Sequence, residues 1–231
     1  MIKVVIIGQG NVATHLFNAL SKAVNISVEQ INSRTLTTIQ GSEITIIAVS
    51  DDAIQQVSKA IINREGLIVH TSGAVGINAL ENRRKGVFYP LQSFTKNAKI
   101  DFNKVPFCLE TENDKDYTLL ENLAKTLGSN IYQINSEQRK KLHVAAVFVN
   151  NFTNHMYTIA NDICTKNKIP FEILYPLIEE TAKKVQSITP RDAQTGPAKR
   201  NDTQTIKNHL EDLNLQQQKI YQLLTKYIQE S

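Results

Sequence analysis

Two glycines and an alanine begin the chemistry of this chain. In VVIIGQGNVATHL, residues 4–16, Gly8 and Gly10 stand two apart and Ala13 follows three residues later. The stretch before them is apolar and β-branched, and the stretch after them is helix-forming. In that setting Gly8 permits a tight turn and Gly10 lets a ligand approach the backbone. Ala13 keeps the helix close to the strand. The amides of Gly8, Gln9, Gly10, Asn11 and Val12 are then expected to meet a pyrophosphate at the positive end of the helix. The same residues without a ligand would simply join a strand to a helix.

The end of the second strand candidate decides which dinucleotide is expected. Enzymes that take NAD usually carry an acid there for the ribose 2′-hydroxyl. Here the residues are INSRT, 31–35, and Glu29 comes too early. Ser33, Arg34 and Thr35 offer hydroxyls and one planar guanidinium, a combination that suits a 2′-phosphate. NADP is therefore the expected cofactor, with NAD as the alternative. An exposed loop arginine with no ligand would look the same.

Three further strand ends carry polar residues. AVSDDAI (48–54) offers Val49 and Ser50 to a crevice, although Ser50, Asp51 or Asp52 could equally cap the helix that follows. HTSGAVG (70–76) offers Thr71 and Ser72, whose hydroxyls could bind a ligand or their own turn. His70, in an apolar strand, reads as a core histidine. FYPLQSF (88–94) places Gln92 beyond Pro90, which stops the strand. These residues suggest loop shaping or substrate contact.

A second constellation lies in SEQRKKLHVAAVFVNNFTNHMYTIANDICTKN, read as one long helix with Ser136 as its N-cap. Leu142, Ala145, Val149, Phe152, Met156, Ile159 and Ile163 make an apolar stripe at 3-4 spacing. Opposite it, His143, Asn150, Asn154 and Asn161 form an uncharged polar column, with Asn151 beside it. Solvated faces usually carry Lys and Glu, so this column suits the wall of a polar cleft. His143 can act as general acid or base near neutral pH. Further on, TGPAKRND places Lys199 and Arg200 ahead of a helix capped by Asn201 or Asp202, a candidate site for a substrate anion. Arg191 is a further basic candidate.

These residues need a scaffold to hold them. Strand candidates at 2–8, 26–33, 43–50, 66–72, 85–90, 105–110 and 130–134 alternate with helical stretches, and several are apolar on both faces. That pattern predicts a doubly wound, mostly parallel α/β sheet. After Ser136 the strand signal ends. Helices are expected from near Phe171 to Ile188, and from near Asn201 onward with Ile206, Leu210, Leu213, Ile220, Leu224 and Tyr227 on one face.

Composition narrows the class. The chain has 231 residues, 41% of them hydrophobic, and a formal net charge of +4. Its longest basic run is three residues, so no general nucleic-acid surface is expected. The apolar run VAAVFV (144–149) is too short to span a membrane. Cys108 and Cys164 match no metal or redox spacing, so no metal site and a reducing, cytoplasmic setting are expected.

VVIIGQGNVATHL, IIAVSDDAI, VHTSGAVG, FYPLQSF, KLHVAAVFVNNF and TGPAKRND together resemble a family of oxidoreductases, over nearly the whole chain. That family joins a Rossmann-like N-terminal domain to a helical C-terminal domain of unknown function. It is similar to pyrroline-5-carboxylate reductase, the deazaflavin-dependent NADP reductase and the 6-phosphogluconate/β-hydroxyacid dehydrogenases. The resemblance implies a dinucleotide domain at 1–135 and a helical substrate and dimerisation domain at 136–231. The helical domain would be similar to the 6-phosphogluconate dehydrogenase C-terminal domain. It implies ribose contacts at Val49 and Ser50 and catalytic roles for His143 and Asn151. Where β-hydroxyacid dehydrogenases use a Lys and an Asn, this chain has only Lys141 nearby. Asn201 stands where the family more often has glycine. The expected activity is hydride transfer between NADP(H) and a small polar C=O or C=N substrate, with Asn150, Gln92 and Arg200 as substrate contacts. The alternative is a non-catalytic NAD(P)-binding regulator or sensor. The apolar stripe predicts a homodimer through the C-terminal helices.

Overall fold

Residues 4–7 are buried on both sides of one strand: Val4 and Ile6 join one apolar cluster, Val5 and Ile7 another. A strand sealed on both faces belongs inside a parallel sheet covered by helices. The computed structural model describes residues 1–36, 41–61, 65–128 and 130–231. Its sheet has seven strands: β1 (Ile2–Ile7), β2 (Ile26–Ile31), β3 (Ile44–Ile47), β4 (Leu67–His70), β5 (Lys85–Pro90), β6 (Phe107–Thr111) and β7 (Ile131–Gln133). They lie in the order β2-β1-β3-β4-β5-β6-β7. All neighbours are parallel except β5 and β6. Each strand expected from the sequence forms, with ends within three residues of its apolar run. The chain leaves β1 toward β2 on one side and returns to β3 on the other. The strand order therefore switches between β1 and β3, where doubly wound sheets open a crevice at their carboxyl ends.

Helices α1 (Asn11–Leu20), α2 (Ile54–Ala60), α3 (Asp114–Lys125) and α4 (Ser136–Ala146) accompany the sheet. α1 buries Ala13, Leu16 and Leu20 on one stripe. Fully burying each of the two leucines contributes roughly 2 kcal/mol. α4 is capped by Asn135, not by Ser136. The Asn135 side chain accepts the Gln138 N–H, and the Gln138 side chain accepts the Asn135 N–H, a closed capping box. The Ser136 hydroxyl is committed elsewhere: it donates to Glu110 and accepts the Ile77 N–H at 2.9 Å.

The expected long helix is interrupted. Val147–Phe152 is π-helical, and α5 (Thr153–Lys166) follows. A π turn inserts residues into the helical count. A single 3.6-residue phase therefore does not run from His143 through Asn161.

Contacts divide the chain into two compact units, Met1–Asn151 and Phe152–Ser231. The second is all-helical among its described residues. A 3-10 turn at Phe171–Leu174 leads into α6 (Tyr175–Lys184), then α7 (Pro190–Ala193), α8 (Pro197–Arg200), α9 (Thr203–Asp212) and α10 (Leu215–Glu230). The expected 171–188 helix thus begins as a tighter turn, with a proline in the first turn of α6. The expected final helix is two helices. Leu213 is extended, and Asn214 starts α10 with its own capping box to Gln217.

Candidate functional site

The crevice at the β1/β3 switch is a cavity of about 1130 Å³. Gly8 ends β1 with φ +137°, and a Cβ there would lie 2.1 Å from the Ala48 carbonyl oxygen. Only glycine fits that bend. The Gly8 N–H donates to the Ile31 carbonyl, and its own carbonyl accepts the Gln30 side chain at 2.8 Å. Gly10 differs: nothing lies within 4 Å of the position its Cβ would take. No side chain caps α1 at Gly10. The first-turn amides, which lack helical partners, are left to the cavity that Gly10, Asn11 and Val12 line.

Asn32, Ser33 and Arg34 form another part of the wall. The Asn32 side chain accepts the Arg34 N–H at 2.9 Å, fixing the turn after β2. Among the described residues, Arg34 is the only charged side chain lining the cavity and forms no salt bridge. Thr35 is exposed and outside the lining. Val49, Ser50 and Thr71 line the cavity from the ends of β3 and β4. Ser50 precedes a 3-10 turn, Asp51–Ala53, which no side chain caps. The capping role considered for Ser50, Asp51 and Asp52 is therefore not taken up. Ser72 lies outside the lining, and its Oγ accepts the Ala74 and Val75 N–H groups of its own loop.

His70 is fully buried, and its Nδ1 accepts the Ser72 N–H at 3.2 Å. Among the described residues its Nε2 has no partner. Burial, reinforced by the Arg139 charge, pushes its pKa down to about 4, so the ring is neutral near pH 7.

Gln92 lines this crevice and also a second cavity of about 480 Å³. The second cavity gathers His143, Asn150 and Asn151 with Tyr89, Leu91 and the apolar side of α4. Its lining contains no charged residue among those described. His143 Nδ1 lies 3.2 Å from the Tyr89 hydroxyl. Two of the column residues, His143 and Asn150, thus share one wall with Asn151 and Gln92. Asn154 and Asn161 belong to α5 in the other unit. Arg200 lies in the same unit, at the end of α8, with its guanidinium paired with Asp202 at 2.8 Å. Asn201 adopts φ +57°, a left-handed conformation that glycine or asparagine tolerates best. Asp202 precedes α9 but makes no side-chain cap.

Beneath the 71–76 loop lies a polar network absent from the sequence reading. Arg139 is completely buried. Its Nη1 pairs with Glu110, and it donates to the Ser72 carbonyl at 3.2 Å and to the Val75 carbonyl. Ser136 bonds the same Glu110 carboxylate. One signal could have found Arg139: it lies four residues before His143, one turn along the same face of α4.

Residues 105–228 match the family described as "Domain of unknown function (DUF2520)". The chain belongs to that family. A Bacteroides fragilis protein, named "putative NADP oxidoreductase", is 36% identical. The match covers 100% of this chain and 98% of that one, with a TM-score of 0.89. A Thermotoga maritima protein shares the fold at 18% identity, covering 98% and 97%, with a TM-score of 0.76. Plasmodium falciparum pyrroline carboxylate reductase, solved with NADP bound, shares it at 14% identity, covering 99% and 98%, with a TM-score of 0.64. No curated protein matches. The resemblance and fold class expected from the sequence are borne out. No described helix is long and apolar enough to cross a membrane.

Proposed function

We propose that the protein is an NADP-dependent oxidoreductase acting on a small polar C=O or C=N substrate. The observation that carries this reading is the crevice itself. It has an unfilled space at Gly10, uncapped helix amides beside it and, among the described residues, one unpaired cation, Arg34, in an otherwise uncharged lining. Those features fit a diphosphate at residues 8–12 and a 2′-phosphate at Ser33 and Arg34. Leu36, Ala53, Val57 and Ala60 supply an apolar wall suited to a base. The name of the Bacteroides fragilis relative supports the same cofactor.

When bound, the reduced nicotinamide supplies a hydride. Val49, Ser50 and Thr71 orient the cofactor from the strand ends. Gln92 joins the cofactor crevice to the second cavity, where His143 exchanges a proton with the substrate and Asn150 and Asn151 hold it. Residues 1–135 serve as the dinucleotide-binding domain, and 136–231 serve substrate binding and dimerisation. Arg200 is the anion-binding candidate of the helical part. The buried thiols of Cys108 and Cys164 accord with a cytoplasmic setting.

Titration of the whole protein with NADPH and NADH, followed by nucleotide fluorescence, tests the cofactor. NADPH is expected to bind about 10- to 100-fold more tightly, as one charge-assisted phosphate contact predicts. Arg34→Ala should remove that preference. Equal affinity of the wild type for both nucleotides, or an unchanged preference in the variant, would defeat the NADP assignment. Turnover of NADPH with a panel of keto acids and cyclic imines separates an enzyme from a non-catalytic binder.

A further inference from the structure

Tyr89 lies on β5 opposite Cys108 of β6. Its ring is buried with Val87 and Cys108, against Ile77, Leu91, Ile134 and Leu142. The ring meets His143 edge-on, at 72° and 6.2 Å between centroids. Its hydroxyl lies 3.2 Å from His143 Nδ1. Among the described residues, neither the hydroxyl nor the imidazole has another hydrogen-bond partner. The backbone at Gly73 lies against this bond: a Cβ there would be 2.6 Å from Nδ1 and 2.9 Å from the Tyr89 oxygen. Nδ1 is thus enclosed by Tyr89 and the 71–76 loop, and Nε2 is the ring nitrogen left for the cavity that His143 lines.

The direction of the bond follows from proton counting. Burial pushes the Tyr89 phenol up to about 12, so it keeps its proton near neutrality. The phenol can donate or accept, but Nδ1 is the one acceptor within its reach among the described protein groups, so donation to Nδ1 is the arrangement that uses its proton. Nδ1 must then be the unprotonated nitrogen of a neutral ring, and the ring hydrogen resides on Nε2.

We propose that Tyr89 is a positioning residue that holds His143 as its Nε2–H tautomer and so presents a hydrogen-bond donor to the second cavity. The complementary substrate group is an acceptor, a carbonyl oxygen or an unprotonated imine nitrogen. A hydroxyl needing a base would find none at Nε2. The tautomer rests on the Tyr89–His143 contact and the proton that Tyr89 keeps, whereas its meaning for the substrate rests on the function proposed above. The deduction deepens that reading: the resting site is arranged for reduction.

The test is long-range proton–nitrogen NMR on the full chain labelled with ¹⁵N-histidine, without nucleotide, at about pH 8, above the ordinary imidazole range. His143→Gln identifies the resonance of interest. The wild type is expected to show Nε2 protonated and Nδ1 bare. Tyr89→Phe, which keeps the ring and its packing, should convert this to a mixture of tautomers while leaving the other four histidines unchanged. Gly73→Ala, which pushes the pair apart, should do the same. An Nδ1–H or charged ring in the wild type would overturn the proposal, as would an unchanged pattern in Tyr89→Phe. NADPH binding is measured separately. A correct tautomer in a protein that ignores NADPH defeats the proposed function and leaves this assignment standing. NADPH binding with the wrong tautomer does the reverse.

Discussion

Arg139 has no exposed surface, yet it carries a full charge. A buried guanidinium is tolerated only when its donors are used, and here Glu110 and the carbonyls of Ser72 and Val75 use them. The two carbonyl contacts tie α4 to the 71–76 loop that encloses the Tyr89–His143 bond. Replacing Arg139 by Met would leave Glu110, itself largely buried, without its partner. We expect a loss of about 3–5 kcal/mol in urea unfolding. The double variant with Glu110→Gln should be less destabilised than the sum of the single changes. A cost below about 1 kcal/mol for Arg139→Met would show that the network is not what holds the loop. In the sequence, SEQRKK reads as a helix start with a short basic run, because composition cannot show which of three adjacent cations turns inward. Tyr89 escaped notice for a similar reason. In FYPLQSF it looks like one more strand aromatic until β5 and α4 are brought together.

At the level of elements, β1 and α1 do most to define the candidate site, and their two glycines have separable tasks. Gly8 is demanded by the fold: its φ is +137° and the Ala48 carbonyl occupies its Cβ direction. Gly10 has ordinary extended dihedrals and empty space around it. Gly8→Ala should therefore cost roughly 2 kcal/mol or more in stability. Gly10→Ala should leave the unfolding midpoint nearly unchanged while weakening NADPH binding by at least about tenfold, since its methyl enters the space assigned to the diphosphate. Wild-type NADPH affinity in Gly10→Ala would remove the diphosphate from that space. The β1–α1 unit was legible because its strand is apolar on both faces and its turn needs small residues at fixed offsets. Helix interruptions were not. The π turn at Val147–Phe152 falls inside a stretch with no proline or glycine to mark it. Asn135 was passed over as a cap because Ser136, one residue later, is as good a cap by type; the Glu110 contact that occupies Ser136 is 26 positions away.

For the molecule as a whole, the two units are unequal in how they bury apolar surface. The first has interlocking clusters on both faces of its sheet. In the second, Phe152–Ser231, Cys164 is the only buried residue among those described. Ile173, Leu177, Leu215, Leu223 and Tyr227 are all exposed, and a further apolar cavity of about 330 Å³ opens between Met156, Ile159, Ile163, Ile220 and Leu224. A helical unit of this size cannot offset its chain entropy with so little burial. The proposed homodimer would supply the missing surface, because a second copy carries the same apolar stripes. Sedimentation equilibrium at micromolar concentration should accordingly give twice the chain mass. Leu223→Glu with Tyr227→Glu should shift the protein to monomer and reduce its far-ultraviolet helical signal, since the helices would lose the contacts that hold them. If the wild type sediments as a monomer with full helicity and a single sharp unfolding transition, the helical unit is stable without a partner and the dimer has no physical basis.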